Sequence, residues 1–509
     1  MADGRILVDP DFAVGAVDRR LFGSFVEHMG RCVYTGIFEP GHPAADDTGV
    51  RRDVLELVRE LGPTVVRYPG GNFVSGYRWE DGIGPVAERP TRLDLAWRSI
   101  EPNTFGLHEF MSWAELAGVE PMLAVNLGTR GIQEAADLVE YCNHPGGTVF
   151  SDRRVKNGAA DPFGVKLWCV GNEMDGPWQV GQKSADDYGK LAAETAKAMR
   201  LVDPSIELVA CGSSNRQMPT FAAWEATVLE HTYDHVDYIS MHAYYEETDS
   251  LLDFLASAVD MDGFIEDVIA AADFVKAKKH RSKQLKISFD EWNVWSQTAY
   301  NNRPPREWEH APALIEDDYT VADAVAVGSY LISLLNHADR VAVACQAQLV
   351  NIIAPIRTEP GGDVWRQTIF YPFMHMARLA RGVALRLPLQ GPELVTPKYG
   401  AVPSITTAAT WDEETGTLAL FLVNRDPQRD IPVTVDLRAV RPEAIGEQIV
   451  LADDDVRATN SAAAPDRVRP RTETTAELSG NRLTVSLPAV SWTAITVACD
   501  KTSRREVIF

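Results

Sequence analysis

The chain has 509 residues, 45% of them hydrophobic and 24% charged, with a net charge of −23. That length exceeds what one hydrophobic core usually serves, so two domains are expected, one of them large. The acidity is spread along the chain; it argues against nucleic acid or an anionic membrane as partner, because phosphate would be repelled, and leaves a neutral ligand such as a sugar open.

The opening MADGRILVDPDF lacks a basic segment followed by an apolar run, so no signal peptide is expected. No apolar run approaches the length that crosses a bilayer. Six cysteines, none in a CxxC pair, sit mostly in apolar strand-like runs and read as buried free thiols. A cytoplasmic location follows.

In chain order, a short β run at 5–8 precedes a strand-like stretch, 21–28, that ends at Glu27. Apolar positions at helical spacing mark 50–61 as a helix, closed by Gly62-Pro63. A β run at 64–71 leads to Asn72. The alternation then repeats. Strands are expected at 121–126, 165–173, 207–212, 237–242, 285–291 and 340–348. Helices are expected at 105–117, 132–141, 184–202, 221–230, 264–278, 320–337 and 368–381. Eight β runs each followed by a helix predict an α/β fold, a (β/α)8 TIM barrel enlarged by loop insertions. The rival, an open doubly wound sheet, lacks its GxGxxG fingerprint, and GNFVSG at 71–76 is followed by Tyr-Arg rather than the Lys-Ser/Thr of a phosphate loop.

Past residue 385 helical periodicity vanishes. Short β runs at 404–411, 417–424, 431–437, 448–451, 482–487 and 492–498, separated by turn signals, predict a C-terminal antiparallel β-sandwich, jelly-roll-like. The expected domains are the barrel over 18–384 and the sandwich over 385–509, with 1–17 joining the latter through its strand.

Polar residues stand at the ends of nearly every expected barrel strand: Glu27, Asn72, Asn126, Asn172 with Glu173, His242 with Tyr244, Glu291 and Gln348. One such residue would be a cap or a satisfied core group. A set of them at the same end of the barrel points to a cavity. Glu173 ends strand four and Glu291 ends strand seven, so the two carboxyls can face one substrate across the cavity. Such a pair suits glycoside hydrolysis, one group protonating the leaving oxygen while the other attacks the anomeric carbon or activates water. Asp290 precedes Glu291 on the strand; by alternation it should point away from the pocket and be structural. No HExxH occurs, and no metal or other cofactor is expected; no GxSxG elbow supports a serine nucleophile. Among the aromatics near these ends, Trp168 and Trp292 are expected to be structural, and Trp178, Trp295 and Trp308 to lie nearer the cleft.

Seven stretches, FGSFVEHMGRCVYTGIFEPG (22–41), VVRYPGGNFVSGYRWEDGIGP (65–85), AVNLGT (124–129), WCVGNEMDGPWQ (168–179), SMHAYY (240–245), FDEWNVW (289–295) and AQLVNIIAPI (347–356), resemble in one order the α-L-arabinofuranosidases of glycoside hydrolase family 51. The resemblance covers nearly the whole chain. It implies a barrel with a sandwich built from both chain ends, a retaining exo-acting mechanism without cofactor, and a homo-oligomer such as a hexamer. It implies Glu173 as acid/base and Glu291 as nucleophile, with Asn172 on the sugar 2-hydroxyl and Tyr244 orienting the nucleophile. Glu27, Asn72 and Gln348 would bind the arabinofuranosyl hydroxyls. Arabinan, arabinoxylan and their oligosaccharides would be the substrates. An endo-acting β-glycan hydrolase, or a non-catalytic carbohydrate-binding barrel, are the alternatives; both glutamates are present, which speaks against the second. Ser296 stands where relatives commonly carry tyrosine, a departure on the leaving-group side of the cleft.

Overall fold

The computed structural model describes residues 3–304 and 306–500. Among these, eight parallel strands close into a barrel in sequential order. They are β1 (Gly23–Phe25), β2 (Val65–Tyr68), β3 (Glu120–Ala124), β4 (Leu167–Val170), β5 (Glu207–Ala210), β6 (Tyr238–Tyr245), β7 (Lys286–Val294) and β8 (Val341–Gln346). The intervening helices follow from local signals. Arg52–Leu61 buries Val54, Leu55, Leu57, Val58 and Leu61 on one face and stops at Gly62, which takes the left-handed conformation glycine tolerates. Ala185–Val202 starts where the Ser184 hydroxyl accepts from the Asp187 N–H. Three helices, Val149–Lys156, Leu251–Leu255 and Gln297–Asn301, have no counterpart in the sequence reading; the last two are single short turns, and the first buries only two residues.

The second part of the structure is a sandwich of a seven-stranded and a five-stranded sheet. Strand Thr417–Asn424 explains how it attaches. Its side chains alternate: Leu418, Leu420 and Leu422 fill the core between the sheets, while Ala419, Phe421 and Val423 join the core shared with the barrel. Helix Val321–Asn336 fills that junction and is buried on nearly every side, as its run of apolar residues requires. Gly328 lets it approach the sandwich: a Cβ there would stand 2.3 Å from the Trp492 ring.

Both N-terminal strands belong to the sandwich. Ala13–Ala16 pairs with Val383–Leu385 in the larger sheet. Gly4–Leu7 lies in the smaller sheet, antiparallel to Leu389–Gln390 but parallel to Ile431–Asp436, so the sandwich is not wholly antiparallel. All six cysteines are buried and unpaired. Among the described residues no helix is long and apolar enough to cross a membrane.

Candidate active site

A cavity of about 830 Å³ opens at the C-terminal ends of the barrel strands. Glu27, Asn72, Glu173, Trp178, Tyr244, Glu291, Trp295 and Gln348 all line it. Asn172 stands just behind, its amide donating to Asn72 Oδ1 at 3.2 Å. Two expected neighbours lie elsewhere. The Asn126 side chain bonds the Tyr77 carbonyl and its own loop at Gly128 and Thr129. Trp308 is not among the lining residues; its ring packs under Arg98, 5.5 Å from the guanidinium carbon.

Glu291 is held from three sides. Arg67, in the body of β2, donates from Nη1 to its Oε1 at 2.7 Å. Tyr244, on β6, donates to its Oε2 at 2.7 Å. His242 Nδ1 lies 3.6 Å from the same oxygen. Burial alone would push this carboxyl up. The His242 and Arg67 charges and the hydrogen bonds from Tyr244 and Arg67 outweigh it and hold Glu291 below the usual carboxylate range. It is therefore ionised at neutral pH.

Glu173 sits on a left-handed backbone, φ 45°, just past β4, a conformation uncommon for a side-chain-bearing residue and often found at functional positions. Its Oε1 meets His242 Nδ1 at 2.9 Å, and its Oε2 accepts from the Trp178 indole at 2.6 Å. Burial pushes His242 down, but the Glu291 charge, the hydrogen bond and charge of Glu173, and Asp290 raise it to about 9. Carboxylate oxygens of Glu173 and Glu291, with a His242 ring nitrogen, lie within 4.8 Å of one another.

On the far side, Glu27 accepts from the Phe73 N–H at 2.9 Å, from Trp97 Nε1 at 2.8 Å and from Gln348 Nε2 at 2.9 Å. Gly71 makes room: a Cβ there would stand 2.6 Å from Glu27 Oε2. Burial, with the Glu291 charge next, raises Glu27 to about 8 against its hydrogen bonds.

Asp290 stays out of the cavity lining, as expected, but strand alternation is not what places it. Between β6 and β7, Ser240 pairs with Ser288 and His242 with Glu291; β7 therefore carries one extra residue, a bulge that the pairing with β8 repeats between Phe289 and Trp292. The bulge turns Asp290 inward. Its Oδ2 lies 3.7 Å from Arg67 Nε and within 3.6 Å of the Cys169 thiol. Trp292 then faces outward against Tyr330, as expected of a structural residue.

Arg67, His242 and Trp97 are the residues the sequence reading left out of the site. His242 was noted only as a polar strand end. Arg67 had a signal, a charge inside an apolar strand run (VVRY), which must find a partner when buried. Trp97 lies in a loop between short strands and carried none.

Two carboxylates on opposing strands of a (β/α)8 barrel, closely spaced inside a hydrogen-bonded pocket, define the class as a glycoside hydrolase. Comparison with known proteins gives the family. Models described as "Alpha-L-arabinofuranosidase 1 domain" and "Alpha-L-arabinofuranosidase C-terminal domain" match residues 57–275 and 290–491. An intracellular exo-α-(1→5)-L-arabinofuranosidase of Streptomyces lividans is 55% identical over 98% of this chain and 76% of its own. An exo-α-(1→6)-L-arabinofuranosidase of Bifidobacterium longum is 53% identical over 98% of each chain. A solved family 51 α-L-arabinofuranosidase from Bifidobacterium longum superposes with a TM-score of 0.94 at 48% identity, covering 98% of this chain and all of that one. The chain belongs to the α-L-arabinofuranosidases of glycoside hydrolase family 51.

Proposed function

We propose that this enzyme removes terminal non-reducing α-L-arabinofuranosyl residues from arabinan, arabinoxylan and their oligosaccharides, with retention of configuration. The observation that carries the reading is the spacing of Glu173 and Glu291. Oxygens within 4.8 Å suit direct attack by a carboxylate. Retaining enzymes hold their carboxyls about 5–5.5 Å apart, whereas an inverting enzyme needs about 6.5–9.5 Å to seat a water.

The roles follow from charge and hydrogen bonding. Glu291, ionised and aimed by Tyr244 and Arg67, attacks the anomeric carbon; the bond to the leaving oxygen breaks as Glu173 delivers a proton to it. His242 Nδ1, 2.9 Å from Glu173 Oε1, is the protein group placed to exchange a proton with it. A covalent arabinosyl ester forms on Glu291. Glu173, now a base, deprotonates water, which attacks the same carbon and frees Glu291. Asn172, fixed by Arg67 and bonded to Asn72, is placed beside the nucleophile to bind the 2-hydroxyl. Glu27 and Gln348 bind the remaining hydroxyls, and no cofactor enters the cycle.

The relatives' names support work inside the cell, and the family resemblance supports a homo-oligomer, which sedimentation checks. The linkage is settled by assay, since relatives of nearly equal identity are named for 1→5 and 1→6 bonds. The decisive experiment is hydrolysis of an aryl α-L-arabinofuranoside followed by NMR: the first-formed sugar should be the α anomer. A β product, or no turnover, overturns the reading.

A further inference from the structure

The Trp97 indole reaches Glu27 from a hairpin in which Arg92–Asp94 pairs with Ser99–Glu101. At its tip the Asp94 carboxylate accepts from the Ala96 and Trp97 N–H groups and from the Ser99 hydroxyl, which fixes the turn. A two-stranded hairpin is marginally stable alone. This one leaves Leu93 and Leu95 exposed, so it buries little apolar surface of its own. Its position depends on polar contacts with the rest of the chain.

Two sets of contacts hold it. On one side is the segment after β7. The Glu309 carbonyl accepts from the Ile100 N–H, and Arg306 Nη2 donates to the Trp97 carbonyl, each at 2.8 Å. On the other side is Glu101, buried at the end of the hairpin's returning strand. Its Oε1 accepts from the Tyr34 hydroxyl and, at 2.7 Å, from the Asn103 N–H. Its Oε2 meets His28 Nδ1 at 2.9 Å. His28, the residue after Glu27, is itself fixed. Its Nε2 lies 2.8 Å from the Tyr68 hydroxyl at the end of β2, and its ring stacks on Phe73 with centres 4.7 Å apart. The Phe73 N–H is the other donor to Glu27 Oε1. A buried carboxyl costs free energy to desolvate, and apolar side chains of similar volume would often serve the fold as well. Its place one step from the sugar-binding residue gives it another use.

We propose that Glu101 is a positioning residue for the arabinofuranosyl unit. With His28 as its anchor, it sets the hairpin where the Trp97 indole meets Glu27, and it acts on the sugar through that bond. The assignment rests on the sugar-binding role given to Glu27 above.

The test is a double-mutant cycle with an aryl α-L-arabinofuranoside as substrate. Glu101→Gln keeps the side chain's shape and replaces one accepting oxygen with a donor; it is expected to lower kcat/KM about tenfold. Trp97→Phe keeps a ring on the hairpin and removes the indole N–H. In that background Glu101→Gln should lower kcat/KM by less than about twofold, because the bond through which it acts is already gone. Tyr34→Phe removes one donor to Glu101 and leaves the carboxyl in place. It should show the same pattern with a smaller loss, and it carries the cycle if Glu101→Gln does not fold. An equal loss in both backgrounds marks a contribution to the fold alone and overturns the proposal. Unchanged kcat/KM in Glu101→Gln overturns it too. Failure of the unaltered enzyme on the aryl substrate overturns instead the function on which the proposal rests.

Discussion

Asp290 and Glu291, consecutive in the chain, both face the guanidinium of Arg67: Glu291 Oε1 at 2.7 Å from Nη1, Asp290 Oδ2 at 3.7 Å from Nε. Arg67 also donates to Asn172, so one buried cation orders the nucleophile, the amide beside it and a second carboxyl. Asp290 does not line the cavity and acts through Arg67. Asp290→Ala should therefore lower kcat by about 10²-fold through misplacement of Glu291, with KM changed far less. Asp290→Asn, which keeps the shape, should recover most of that loss. An alanine variant with near-normal kcat would remove Asp290 from the positioning network.

Glu173 should betray its acid role through the leaving group. Glu173→Ala is expected to lose about 10²–10⁴-fold on natural oligosaccharides. It should lose much less on aryl substrates whose leaving group needs no proton. Equal losses on both would count against the assignment. Glu291→Ala should abolish turnover of either substrate with the fold intact by circular dichroism.

The pH profile reports on His242. With its imidazole raised to about 9, His242 stays protonated beside Glu173 below that pH, so kcat/KM should fall as pH rises through about 9. In His242→Asn the alkaline limb should move to lower pH, because the imidazole no longer helps to retain the proton. An identical limb in both proteins would place the titration elsewhere. The same group bears on stability with the opposite sign from an ion-paired carboxylate. Its contribution is fully present below about pH 6.5 and is lost as pH rises through about 9.

Glu27 gives a separate stability test. Raised to about 8, it binds its proton more tightly in the folded chain than in the unfolded one, so its ionisation costs stability as pH rises from about 4.5 towards about 8. Glu27→Gln removes that cost. Its melting temperature relative to the unaltered enzyme should rise with pH across this window, which calorimetry at three or four pH values can follow. A constant difference would show that Glu27 is ionised throughout.

The barrel was legible because its strands and helices carry clean periodicities, and because Glu173 and Glu291 end apolar runs where a buried carboxyl has no structural reason to be. The rest depended on geometry that sequence alone does not display. The bulge in β7 leaves no trace in KISFDEWNV: strict alternation and one extra residue read alike until the neighbouring strands supply the register. The signal of Arg67, a charge within VVRY, lay inside a strand rather than at the strand end where the other site residues stand. Trp97 sits in a hairpin whose destination is set by tertiary packing.

The parallel pairing of Gly4–Leu7 with Ile431–Asp436 has a bearing on how the enzyme is made. The first strand leaves the ribosome roughly 380 residues before its antiparallel neighbour Leu389–Gln390 and about 430 before the parallel one, so it must wait unpaired while the whole barrel is synthesised. The barrel's own contacts run between successive strands and can form as they emerge. The order of assembly is therefore barrel first, then a closing step in which the last strands capture the first. A chain interrupted during that wait would expose a loose strand edge, which makes late truncation, rather than damage to the catalytic barrel, the expected route to aggregation.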